Sequence, residues 1–421
     1  MSELDEPAFN TNKIRVKPTA TKTAASSSII GEGSYGCVYR PALRCADVSD
    51  IDYTGTVTKI LSREDAEDEL REFKTIDDLD PEKKFHVGKP LICRPRDMDQ
   101  DIFKTCNPLK NSRSKDYRLL VMPDGGMDLA KFFESGAYKP YFQKFGEAGL
   151  DHFLQAAEAL LNGLAVMQHN GLCHHDIKTQ NVVISTDPAT GKIQLKLIDF
   201  GMMNTFDEIK MFSTANVNRL GTYWFNFPLT CGIINQKMYT SARAFTNSEG
   251  FLLIEMNDPR ANEATNYFSR VVGQNPREVK REYTEWFMAR GPDTATYDNF
   301  LNYAVRKIDI FGMGFALLES MYTMRPIFLK YKAGNKFKNF YDFFLRMTRY
   351  NSPINVDEYI TDYKALLQMK YQKQVGGFDP YADPTDANGE PLRWTRTGGR
   401  KRRRRTRAKK SCARTRTRRR K

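Results

Sequence analysis

The sequence has no apolar run approaching the roughly 18 residues that a membrane-spanning helix needs; the best candidate, "FGMGFALLESMY" (311–322), is too short. Its start lacks the basic-then-apolar pattern of a secretory leader, so none is expected. Cysteine is sparse and unpatterned: seven residues (37, 45, 93, 106, 173, 231 and 412), an odd number, with no Cys-x-x-Cys pair. That usage argues against a zinc or disulfide framework, and the expectation is reduced thiols in an intracellular, reducing compartment. There is no internal repeat, residues 1–27 have no hydrophobic periodicity, and residues 393–421 contain no acid.

What is present is the material of a folded domain. A content of 40% hydrophobic and 12% aromatic residues in 421 excludes a wholly disordered chain and leaves ample length for a real core. The net charge of +14 is not spread evenly. Of the 65 Lys and Arg, 17 lie between Arg393 and Lys421, which leaves 48 against 51 acids elsewhere. The chain is a near-neutral body with a polycationic end.

Residues 1–27, rich in Thr, Ala, Ser and Lys, read as a disordered lead-in. From 28 to 122, "CVYRPAL", "GTVTKIL" and "YRLLVM" are short strand-like runs. Between them "SREDAEDELREFKTIDDL" carries Leu70, Phe73, Ile76 and Leu79 at spacing three, an amphipathic helix. "PDGG" (123–126) breaks the pattern. Helical periodicity follows, with Phe153, Ala157, Leu160, Leu161, Leu164 and Met167 on one face and Asn170-Gly171 as the stop. "NVVIS", "TDPATGK" and "IQLKLIDFG" read as a β-hairpin, 230–300 as mixed helix, and "RKIDIFGMGFALLESM" as a strongly buried helix. A Gly/Pro/Asp-rich linker (376–392) leads to the tail.

Three stretches carry chemistry. "IIGEGSYGCVYR" holds Gly31, Gly33 and Gly36, followed by strand residues rather than a helix. Glycines in a strand–turn–strand let backbone N–H groups approach phosphate oxygens; a hairpin without a ligand is the alternative. "GTVTKIL" places Lys59 within an apolar strand, and an acid on the following helix would explain why a charge is tolerated there. Glu72, thirteen residues on, fits that role, with Glu69 as its rival. Finally, "HHDIKTQN" and "IDFG" bring Asp176, Lys178, Asn181 and Asp199 into one short span. Phosphoryl transfer needs a group to orient the attacking hydroxyl, a cation near the phosphate and oxygen ligands for hard Mg²⁺, and these four can supply them. A metal site on His174 and His175 is poorer, because adjacent residues point apart and no further His/Cys pair stands at ligand spacing.

Taken in order over roughly residues 28–330, these elements resemble the eukaryotic protein-kinase family. The resemblance implies an α+β, two-lobed fold within a kinase domain of 28–375. That domain would comprise a small antiparallel β-sheet lobe (28–122), a hinge (123–126) and a mainly helical lobe (127–375) with an insertion at about 230–300. It implies ATP and Mg²⁺ (or Mn²⁺) as cofactors and protein substrates as partners. Gly31, Gly33, Gly36, Val38, Val57, Lys59, Glu72, Met122, Asp124 and Val183 would surround the nucleotide. Asp176, Lys178, Asn181 and Thr222 would be catalytic, with Asn181 and Asp199 on the metal. "GTYWFNFP" (221–228) looks like the end of the activation segment, and Asp309 looks like the buried aspartate that braces the catalytic loop. Lys178, two after Asp176, is the serine/threonine pattern, and dual specificity stays open. "YRLLVMPDGGMDL" looks most like the casein-kinase-one and vaccinia-related branch. The basic tail and "GSYGCVYRP" resemble kinases of large DNA viruses, which implies a virion or host nucleus or cytoplasm.

The sequence departs from the family at four places. His175 stands where an arginine usually receives an activation-loop phosphate, so activity without that phosphorylation is expected. Leu229 replaces a glutamate that normally pairs with a distant arginine. About 80 residues separate Pro228 from Asp309, an insertion expected to shape what is phosphorylated, and Val57 narrows the adenine pocket slightly. None removes a residue that handles phosphate or metal; a nucleotide-binding scaffold without turnover is the rival. The tail, too charged to fold alone, reads as an import signal or as a binder of nucleic acid or acidic proteins through counterion release. Thr406, Ser411, Thr415 and Thr417 stand among its arginines.

Overall fold

A computed structural model describes residues 27–371 except 34, 97–104, 111–115, 188–189, 216–223 and 246–258. The expected lead-in up to residue 26, the linker, the tail and Thr222 lie outside the described residues. Five strands make the first layer: β1 (Ser28–Glu32), β2 (Cys37–Arg40), β3 (Thr56–Ser62), β4 (Leu91–Cys93) and β5 (Tyr117–Pro123), antiparallel in the order β1-β2-β3-β5-β4. Gly31 lies in β1, and Gly33 and Gly36 fall between β1 and β2. Gly36 is fixed by packing, since a Cβ there would stand 1.9 Å from the Ile60 carbonyl oxygen.

Helix α1 (Arg63–Leu79) crosses this sheet. It begins where the Ser62 hydroxyl accepts from the Asp65 N–H, with Glu64 and Asp65 in the first turn to complement the helix dipole. Its buried residues are Ala66, Glu69, Phe73 and Ile76, while Leu70 and Leu79 are half-buried. This corrects the spacing-three reading: steps of 3, 4 and 3 follow the 3.6-residue turn, whereas equal steps of three drift off the face.

The opposite face of the sheet is also covered. Cys37, Tyr39, Cys45, Ile60, Cys93, Cys106, Leu109, Tyr117, Leu119 and Val121 form one buried cluster beneath a helical turn at Asn107–Lys110. Two disulfides run through it, Cys37–Cys106 and Cys45–Cys93, with Cα separations of 5.9 and 5.7 Å. The expectation of no disulfide framework is thereby corrected for four of the seven cysteines. Partners 69 and 48 residues apart leave no local spacing to read; only the folded sheet brings them within reach. Cys173 and Cys231 are free and buried.

After the hinge comes the helical portion. Its helices are α2 (Leu129–Glu134), α3 (Tyr138–His169), α4 (Phe206–Thr214), α5 (Gln236–Arg243), α6 (Pro259–Val272), α7 (Pro276–Met288), α8 (Tyr297–Lys330), α9 (Gly334–Met347) and α10 (Val356–Gln368). α8 is apolar on nearly every side and forms the centre. Short strands frame the site: β6 (Met127–Asp128), β8 (Val182–Thr186) and β9 (Ile193–Leu197) form a small sheet, and β7 (Leu172–Cys173) pairs with β10 (Asn204–Thr205). Gly126, at φ +97°, closes the hinge onto β8, where a Cβ would lie 2.1 Å from the Ile184 carbonyl oxygen. α5, α6 and α7 are the described helices of the span expected as an insertion, 230–300, and no described helix is long and apolar enough to cross a membrane.

Candidate active site

The loop from His174 to Asn181 is held from below by α8. Asp309 on that helix is buried, and its two carboxylate oxygens accept from the His174 N–H (2.6 Å) and the His175 N–H (2.9 Å). These paired bonds support a backbone in which His175 sits at φ +68°. The His174 ring lies 4.8 Å from Phe200, which is fully buried and meets Phe73 of α1 edge-on at 5.3 Å. Truncating such a buried ring typically costs about 3–5 kcal/mol.

Two side chains of the loop and one from beyond it converge on the Asp176 carboxylate. Its Oδ2 accepts from Lys178 Nζ and from Asn181 Nδ2 (2.9 Å); its Oδ1 accepts from Asn226 Nδ2 (3.1 Å). Asn226 also donates to the Ile177 carbonyl oxygen (3.2 Å). Sequence reasoning passed over Asn226, whose signal was its place in "FNFP" just before Pro228. Leu229, where the family carries an acid, is buried in the helical core.

Lys59 forms the second centre. Its ammonium donates to Glu69 Oε2 (2.7 Å) and Asp199 Oδ1 (3.0 Å). Burial alone would pull this ammonium down, but the two carboxylates hold it above its ordinary value; Lys59 in turn holds the Asp199 carboxyl below its own. The partner is Glu69, not Glu72, which corrects the sequence assignment. Glu69 lies on the buried stripe, whereas Glu72 lies one position off it, with a buried Oε2 that finds no hydrogen-bond partner among the described residues. Burial, followed by the charges of Glu69 and Asp68, pushes Glu72 up to about 8.

Sheet register sets Val38 opposite Lys59 and Val57 opposite Met122. Val183 comes up against the hinge, 2.6 Å from where a Cβ on Gly125 would stand. These apolar side chains border the hinge from the sheet and from β8. Asp124 has a different task. Its carboxylate takes Arg40 and the Gly126 N–H (2.9 Å), and its own N–H goes to the Gly55 carbonyl oxygen (2.8 Å), so it closes the hinge.

The residues fit a nucleotide triphosphate and a hard cation. Gly31 and Gly33 have no positive φ, and a Cβ on them would meet nothing closer than 3.7 and 3.9 Å, so the fold itself does not demand glycine there. That leaves room at the flap for phosphate oxygens. Asp199 and Asn181 offer oxygen donors, the ligand type that Mg²⁺ and Mn²⁺ take. Asn181 directly precedes β8 and Asp199 follows β9 by two residues, and the two segments are joined where the Ile198 N–H donates to the Asn181 carbonyl oxygen (3.0 Å). Among the described residues no cluster of three His, Cys, Asp or Glu forms a separate metal site.

Comparison with known proteins points the same way. Residues 25–264 match the sequence model described as "Protein kinase domain". The chain is 30% identical over 207 residues to "Cyclin-dependent kinase 9-B" of Xenopus laevis, covering 47% of each. It is 33% identical over 97 residues to "Serine/threonine-protein kinase ppk31" of Schizosaccharomyces pombe, 23% of this chain and 8% of that one. It is 25% identical over 149 residues to "Probable casein kinase II subunit alpha homolog" of Encephalitozoon cuniculi, 35% of this chain and 42% of the relative. It spans under half the length of each of these relatives.

Proposed function

This chain belongs to the protein kinase family, and we propose that it transfers the γ-phosphoryl group of ATP to serine or threonine hydroxyls of proteins, with Mg²⁺ or Mn²⁺. The observation that carries the proposal is the convergence on Asp176 of Lys178, Asn181 and Asn226, beside a Lys59 clamped by Glu69 and Asp199. When bound, metal-ATP supplies the transferable group and neutralises its developing charge. The Asp176 carboxylate, oriented from both oxygens, receives the proton of the acceptor hydroxyl. Lys178 puts a cation beside the same carboxylate, where charge moves during transfer. Lys59 binds phosphate oxygens, and Asn181 with Asp199 holds the metal. Serine/threonine preference rests on Lys178 two residues after Asp176 and on the relative named as a serine/threonine kinase. The sub-branch in this reading is the casein-kinase-one and vaccinia-related one, with the kinases of large DNA viruses, on the hinge and tail residues quoted above.

The test is transfer of labelled γ-phosphate to casein, a basic protein and the chain itself, beside Asp176→Asn. Wild-type transfer that the variant abolishes is expected. ATP binding without any turnover would overturn the enzyme reading in favour of a scaffold.

Two further parts of the proposal have their own supports. Activity does not require an activation-segment phosphate: burial pushes the His175 imidazole down towards neutrality, and its ring packs on Phe227 at 5.3 Å, so it offers no cation to a phosphate. Phosphatase treatment should leave the rate unchanged, and a large drop would refute this. The tail, with 17 cations and no acid in 393–421, binds polyanions. Deleting it should abolish salt-sensitive binding to nucleic acid and spare phosphorylation of a neutral peptide; retained binding would refute this part.

A further inference from the structure

We infer that Tyr267, on the inserted helix α6, is a positioning residue that holds the Asp176–Lys178 loop in place through the Glu319 carboxylate of α8. The inference rests on the kinase reading above.

Tyr267 reaches the reactive loop from two sides. Its hydroxyl donates to Glu319 Oε1, while Oε2 of the same carboxylate accepts from Thr179 Oγ1 at 2.8 Å. Thr179 is buried and directly follows Lys178, whose ammonium lies on Asp176 Oδ2. On the other side the Tyr267 ring packs on Phe225 at 5.0 Å and on Phe315 at 5.8 Å. Phe225 directly precedes Asn226, which donates to Asp176 Oδ1. A single side chain of the insertion thus bears on the segments that supply partners to both oxygens of Asp176.

The chemistry of Glu319 gives the linkage its force. The carboxylate is buried, and among the described residues it has no ion pair; the two hydroxyls donate to its oxygens in the core. A buried carboxylate is tolerated only where donors replace its lost water, and burial pushes this one up. Removing either hydroxyl leaves one oxygen short of a donor. The simplest relaxation moves Glu319 or Thr179, and Thr179 cannot move without Lys178. Among the described residues, the hydrogen bonds of Glu319 with Tyr267 and Thr179 and the ring contacts of Tyr267 with Phe225 and Phe315 do not include Gly31, Gly33, Gly36, Lys59 or Asp199. The effect therefore belongs to turnover and not to nucleotide affinity.

This gives the insertion a task that the His175 replacement leaves open. With no cation at 175 for an activation-segment phosphate to grip, α6 supplies a permanent brace on the same loop.

The test is Tyr267→Phe in the full chain, which deletes the hydroxyl and keeps the ring contacts. With Mg-ATP and a peptide acceptor, kcat should fall about tenfold. The KM and Kd for ATP should stay within twofold and the melting temperature within about 2 °C. Thr179→Val should produce the same split, and combining the two should cost less than the product of the single losses, because both act on one carboxylate. A kcat for Tyr267→Phe within twofold of wild type would overturn the inference, as would a loss that tracks the fraction unfolded or multiplies fully with Thr179→Val. A wild-type chain that transfers nothing would overturn the kinase reading and this inference with it. An active wild type with an equally active Tyr267→Phe would overturn this inference alone.

Discussion

Glu72 is the side chain whose replacement speaks most directly to how the sheet lobe holds its charge. It has one buried, unpartnered oxygen and its carboxyl is pushed from 4.5 up to about 8 by burial and by the neighbouring acids. Between those two values the folded state binds more protons than the unfolded state, so this group makes stability fall as pH rises from 4.5 to 8. Below 4.5 both states are protonated and the penalty vanishes. At about 1.4 kcal/mol per pH unit, the cost accumulated by pH 7 is nominally about 3 kcal/mol. Glu72 is only partly buried, and solvent screening brings the working figure to about 1–2 kcal/mol. Glutamine has the shape of the protonated acid and none of its titration. Glu72→Gln should therefore match wild type near pH 4.5 and exceed it by about 1–2 kcal/mol at pH 7. Urea unfolding at pH 5 and pH 7.5, with disulfides intact, measures the difference. A variant less stable than wild type at pH 7.5 would refute the reasoning, because it would mean that Glu72 is ionised and paired with Lys59. A gain of equal size at both pH values would refute it as well.

Three other outcomes are expected. Glu69→Gln removes the acid that Lys59 does use and should lower kcat/KM about 100-fold, while Glu72→Gln stays within a few-fold; steady-state kinetics on both decides it. Lys307 is fully buried, its ammonium donates to the Ser352 hydroxyl, and burial pushes it down to about 7 from 10.5. The unfolded state then binds more protons between those values, so stability should rise with pH across that window. Lys307→Met should add a few kcal/mol at pH 7 and almost nothing near pH 10, and a thermal melt showing loss at pH 7 would count against this. Replacing both Cys37 and Cys106 by serine opens a ring spanning 69 residues and should cost about 2–4 kcal/mol; an unchanged denaturation midpoint would mean the bond adds nothing to stability.

Much of this architecture could be read from the chain because the chemistry is local. Asp176, Lys178 and Asn181 fit within six residues, and the turn from β8 to β9 fixes how far on Asp199 falls, so spacing alone exposes the group. Lys59 was legible for the same reason, as a charge in an apolar strand. The acid opposite it was not. Equal steps of three through Leu70, Phe73 and Ile76 place Glu72 beside the stripe, and only the 66, 69, 73, 76 pattern of a true helical turn brings Glu69 inward. Asn226, Glu319 and Tyr267 lie 50, 143 and 91 residues from Asp176 and share no spacing with it, so they become visible only when α6 and α8 close on the loop. The disulfides were hidden in the same way, being decided by which strands are neighbours.

Those two disulfides are nested, since Cys45 and Cys93 both fall between Cys37 and Cys106. The inner ring encloses β3 and α1, and with them Lys59 and Glu69. A protease that nicks the backbone between 46 and 92 would leave two pieces tied twice over, and the lysine and its acid would not part. On a non-reducing gel such a nicked chain would run as one band and separate only after reduction. Intactness judged without reductant is therefore a statement about the rings as much as about the backbone.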